Sequence, residues 1–140
     1  MYTSNLKLLR MTVVAVLLLA AGCGPGRDSP GGRIYHDGQG EAGTVAYTEG
    51  PDWLRFAGAN CAVCHGNRGQ GLTVQAGGVT GVAPPVTWAV LEERGYDEAA
   101  LRLALREGVD PEGEEFHYYM PRWELSEADM DALVEFLRGL

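Results

Sequence analysis

Cys61-Ala62-Val63-Cys64-His65 is the stretch around which the chain is organised. A C-x-x-C-H run is the attachment signal for a c-type haem. Two thiols three positions apart on one turn of backbone can add to the two vinyl groups of a single porphyrin. The adjacent imidazole then lies under the iron and can serve as an axial ligand. A large flat apolar group tied covalently to the chain gives a core something to form around. One motif implies one haem. A C-x-x-C pair also occurs as a redox dithiol or as half of a zinc site. Zinc would need two further ligands, and the remaining candidates, Cys23, His36 and His117, form no second pair. A dithiol usually opens a helix after a buried strand, and no strand pattern precedes residue 61.

Working outward, the N-terminus reads as an export leader. Lys7 and Arg10 precede a largely apolar run from Met11 to Ala21, too short for a comfortable bilayer span. The run ends in Leu19-Ala20-Ala21-Gly22-Cys23, which resembles a bacterial lipobox, with Ala20 where that pattern prefers leucine. The resemblance implies cleavage after residue 22, lipidation of Cys23 and a lipid-anchored protein facing the periplasm. Gly24 carries no acidic inner-membrane retention signal, which favours the outer membrane over the inner. Export agrees with the haem motif, because bacteria attach haem covalently outside the cytoplasmic membrane.

Loss of residues 1–22 removes two bases and no acid, so the net charge of −8 becomes −10. Such a chain is a poor ligand for nucleic acid. A docking partner is expected to present a basic or largely apolar surface.

Residues 23–50 are rich in Gly, Pro, Ser and Asp, and Gly24-Pro25-Gly26 and Pro30-Gly31-Gly32 are linker signals. They predict a flexible tether, with residues 51–140 as the folded domain. Pro51 and Asp52 open a helix whose apolar face is Trp53, Leu54, Phe56 and Ala57 and which runs into Cys61. Leu72 to Thr87 has no helical period and reads as a wrapped loop. A short helix is expected from Trp88 to Arg94, closed by Gly95. Another has Asp97 as N-cap, residues 98–107 as its body and Gly108 as its stop. The last begins at Ser126 with Asp129 in a capping-box position, and carries Met130, Leu133, Val134 and Leu137 at i, i+3, i+4 and i+7.

Residues 53–140 resemble a class I cytochrome c domain, the small single-haem type. The resemblance rests on Cys61-Ala62-Val63-Cys64-His65-Gly66-Asn67-Arg68-Gly69-Gln70-Gly71 and on the run from Arg106 to Gly113 followed by Met120-Pro121. It implies an all-α fold of several short helices wrapped around one haem. It implies covalent attachment at Cys61 and Cys64, and His65 and Met120 as axial ligands. It places the carbonyl of Pro84 or Pro85 on the second ring nitrogen of His65, and the N-terminal helix across the C-terminal one, with Phe56 and Phe136 at the contact. His117 competes with Met120 for the sixth position, and Met130 is explained by core packing. Trp123 either packs on the porphyrin, donates to a propionate or fills the core.

An iron with both axial positions filled has no vacant site for substrate but can pass one electron. The expected function is therefore a one-electron carrier between redox partner proteins and not an enzyme. The alternatives are a gas- or peroxide-reactive haem protein with a labile sixth ligand, and the haem subunit of a larger membrane redox complex.

Overall fold

A computed structural model of the protein describes residues 26–76 and 78–140. The leader and Cys23 lie outside the described residues. Among those described, no helix is long and apolar enough to cross a membrane.

Helix α1, Pro30–Asp37, begins where a flexible tether is expected. Its start is set by Ser29, whose hydroxyl accepts from the Gly32 N–H at 3.1 Å, and by Pro30 in the first turn. Gly38 ends it in the left-handed region at φ 64°. Helix α6, Glu127–Arg138, closes the chain and is capped by Ser126 accepting from Asp129 N–H at 3.1 Å.

These two helices pack directly on each other. A Cβ on Gly31 would overlap the Ala132 carbonyl oxygen and lie 2.7 Å from Phe136 Cβ. The Tyr35 ring sits 5.2 Å from Phe136, and His36 meets the same ring edge-on at 5.7 Å. Tyr35 and Met130 are fully buried, with Leu133 and Val134 nearly so.

The assignment of residues 23–50 to a tether is thus corrected from Ser29 onward. Gly31, which resembles a linker residue, is here the small residue at a helix crossing. The expected Phe56–Phe136 contact is corrected with it. Phe56 is 91% exposed, because α2, Asp52–Ala57, is a six-residue helix that buries only Leu54. Helix α2 also stops short of the haem motif. Gly58 breaks it at φ 80°, and Ala62–His65 form a separate turn, α3.

The residues after α1 contribute further. β1, Gln39–Gly40, pairs with β2, Gly43–Thr44. β3, Ala46–Glu49, pairs antiparallel with β6, Arg122–Glu124, setting Tyr47 opposite Trp123. The stretch read as a loop from Leu72 contains a hairpin, β4, Leu72–Ala76, with β5, Val79–Ala83. The β-branched residues Thr73, Val74, Thr80 and Val82 favour extended strands. The fold remains mostly helical, with three two-stranded sheets among the described residues.

Two further helices match expectation. α4, Trp88–Glu93, is followed by Gly95 at φ 83°. α5, Glu98–Glu107, has Asp97 accepting from Ala100 N–H at 2.8 Å and Gly108 as its left-handed stop. Leu101, Ala104 and Leu105 face the core.

Candidate haem-binding site

The C-x-x-C-H turn is held from several directions. Asn60 Oδ1 accepts the Val63 N–H at 3.0 Å, which caps the start of α3. The Gly71 N–H donates to the His65 carbonyl at 2.8 Å, folding the glycine-rich loop back beneath the histidine. Tyr35 Oη, from α1, donates to the Gly66 carbonyl at 2.7 Å. The linker-like composition of residues 23–50 conceals how firmly Tyr35 anchors this turn. The available signal was Ser29-Pro30 ahead of Gly31 and Tyr35 at i, i+4.

His65 is 8% exposed. Its Nδ1 lies 2.8 Å from the Pro84 carbonyl. A carbonyl can only accept, so Nδ1 carries the proton and the Nε2 lone pair is left for a metal. Burial lowers the His65 pKa, partly offset by the Pro84 bond, and so favours the neutral ligating form. Of the two prolines left open by the sequence, Pro84 is the one whose carbonyl reaches the ring. Cys61 and Cys64 are free thiols. Burial, reinforced by Cys64, pushes the Cys61 thiol up to about 12.

Met120 is half-buried against the same core as Cys61 and Trp53. Its loop is stapled by Arg122, which is only 7% exposed. Nη1 of Arg122 donates to the Met120 carbonyl at 2.8 Å and Nη2 to the Phe116 carbonyl at 3.0 Å, while Nε faces Glu49 at 3.3 Å. Gly108 lies against the guanidinium, where a Cβ would overlap it. The sequence alone does not reveal this part for Arg122, because its partners come from a distant strand and from backbone carbonyls. Arg122→Gln is expected to cost about 3 kcal/mol, since it removes charge-assisted bonds in a buried site and leaves carbonyls unpaired. Urea unfolding of the holoprotein measures this, and the ferric spectrum reports whether the loop still presents Met120.

His117 is exposed, and its Nδ1 accepts the Tyr119 N–H at 3.4 Å within its own turn. That places it at the protein surface, bonded within its own turn. Trp123 is 7% exposed and packs edge-on against Tyr47 at 5.8 Å, a core role. Its Nε1 and that of Trp53 are buried without a hydrogen-bond partner among the described residues. Buried indole donors are ordinarily satisfied. Two such donors left over suit an acceptor brought by a bound group, such as a haem propionate.

A helical domain with this thiol pair and buried histidine is a covalent-haem domain. A family model described as Cytochrome c matches residues 55–140, and the chain belongs to that family. No curated protein and no solved structure matches the chain. Membership brings a covalently bound c-type haem and a haem-based electron carrier. The residues fit the group: two free thiols, a buried neutral imidazole with one nitrogen available, and unpaired indole donors. The family match begins at residue 55, so α1 and its contact with α6 lie outside it.

The Tyr35 anchor carries a pH prediction. Burial raises the Tyr35 hydroxyl above its ordinary value near 10. A raised group stabilises the fold fully below the unfolded value and loses that contribution as pH rises through the folded one. Stability should therefore decline above about pH 10. Tyr35→Phe should cost about 1 kcal/mol near neutrality and flatten that alkaline decline, as read by urea midpoints across pH.

Proposed function

We propose that the protein is a lipid-anchored, periplasmic one-electron carrier whose haem is joined to Cys61 and Cys64 and ligated by His65 and Met120. The observation that carries the reading is the buried His65 ring, committed through Nδ1 to Pro84 at 2.8 Å with Nε2 left over. The haem supplies reversible one-electron chemistry, and the chain's residues determine how the iron is presented. The Pro84 carbonyl fixes the His65 ring plane and makes the imidazole a stronger donor. Arg122 holds the Met120 loop at its carbonyl, so that the weak thioether ligand does not depend on its own bond to stay in place. A thioether favours the ferrous state and raises the potential. The indole N–H groups of Trp53 and Trp123 would donate to propionate oxygens. Cys23 is the proposed lipidation site, and redox proteins with basic or apolar docking faces are the proposed partners.

Potentiometric titration of the holoprotein tests the reading. A single one-electron wave, with no carbon monoxide adduct on the ferrous form, is the expected result. Rapid carbon monoxide binding would replace it with the gas- or peroxide-reactive reading.

A further inference from the structure

β3 lies ahead of the family match, which begins at residue 55, and α2 straddles that boundary. A helix of six residues has no stability of its own, so α2 must be tied to its surroundings. Tyr47, buried on β3, supplies the tie. Its Oη donates to the Pro51 carbonyl at 2.9 Å, at the start of α2. Arg55, near the end of α2, lays its guanidinium 4.2 Å from the centre of the Tyr47 ring and donates to the Tyr47 carbonyl at 3.4 Å. Strand and helix are thus fastened into one unit.

That unit meets the Met120 loop on both sides of the methionine. Trp53 stands edge-on to Tyr119, the residue before it, with ring centroids 6.5 Å apart. A Cβ on Gly50 would lie 3.2 Å from Pro121, the residue after it, and 3.0 Å from the Tyr47 ring, so the turn between β3 and α2 is packed down on the proline. One step further, Glu49 pairs with Arg122 in the strand register and faces its guanidinium. Trp53 itself packs against the same core as Met120. These contacts grip the backbone neighbours of a thioether, which is a weak ligand. A ligand from solution can reach the sixth position only in the fraction of molecules whose methionine has left it, and its apparent affinity scales with that fraction. Holding residues 119–122 in place lowers the fraction.

We propose that the β3–α2 unit is a clamp on the sixth-ligand loop, with Tyr47 and Trp53 as positioning residues that keep Met120 on the iron and so close the haem to small ligands from solution. This rests on Met120 being the sixth ligand. Neutral imidazole is the probe. When it enters, the iron–sulfur bond breaks and an iron–nitrogen bond forms. The iron stays ferric, and neither an electron nor a proton is transferred.

The test titrates ferric holoprotein with imidazole and follows loss of the far-red thioether band, with urea midpoints measured on every variant. Trp53→Ala should raise the apparent imidazole affinity about tenfold, because the ring against Tyr119 is gone. Tyr47→Phe, a milder change, should raise it about fivefold through the lost bond to Pro51. Trp53→Phe keeps a ring against Tyr119 and should stay within about twofold of wild type. Ile34→Val, in the core on α1, costs stability of the same order as Tyr47→Phe and should also stay within about twofold. If Ile34→Val raises the affinity as much as Tyr47→Phe, the effect is general loosening and the clamp is overturned. It is equally overturned if Trp53→Ala and Tyr47→Phe bind imidazole like wild type. Equal rises for Trp53→Phe and Trp53→Ala would assign the effect to the indole N–H and overturn the part given to the ring. A wild type without the far-red band overturns the Met120 reading instead, so a failed ligand assignment is told apart from a failed clamp.

Discussion

Gly31→Val is expected to lower the stability of the holoprotein by about 3 kcal/mol or more. The cost arises at a backbone crossing. The position of a Cβ on Gly31 is already taken by the Ala132 carbonyl and by Phe136, so α1 must lift away from α6. Lifting α1 withdraws Tyr35 from Phe136 and from the Gly66 carbonyl, which loosens the loop after His65. Flexible side chains could move aside, but the obstructing atoms include main chain, and interiors relax only partly. Gly81→Ala is the matched control, because nothing lies within 4 Å of its Cβ position. Urea midpoints of the two variants should differ clearly, with Gly81→Ala within about 1 kcal/mol of wild type.

Met120→Ala should lower the reduction potential by a few tenths of a volt, a substantial part of the ~0.8 V that axial ligation spans. Removing the thioether takes away the donor that prefers ferrous iron. The Arg122 bonds to the Met120 and Phe116 carbonyls are made by main-chain acceptors and survive the substitution. The loop should therefore hold its place and leave the sixth position open. Carbon monoxide should bind the ferrous variant rapidly while the urea midpoint moves little. If the potential is unchanged, Met120 does not ligate.

What the sequence made legible, and what it hid, divides by range. Asp97 and Gly108 bound α5 and Ser126 starts α6 through bonds within a turn, so local spacing sufficed. The haem motif was equally local. Helix α1 was hidden because Pro30, Gly31 and Gly32 have the composition of a linker, and the reason for Gly31 lies at Ala132, near the other end of the chain. Missing α1 also led to Phe56 being set against Phe136, where Tyr35 and His36 belong. The choice between Pro84 and Pro85 needed coordinates, since both have the same chemistry and differ only in which carbonyl reaches His65. Arg122 was hidden for a similar reason: its partners are backbone carbonyls and a strand residue, Glu49, none of which marks the sequence.

The most direct test of the central claim is the optical spectrum of the ferric wild-type holoprotein in the far red. Ligation by His65 and Met120 predicts the weak band that reports thioether sulfur on ferric iron, present in wild type and lost in Met120→Ala. A wild-type spectrum without that band would contradict the account and would transfer the sixth position to another ligand or leave it open.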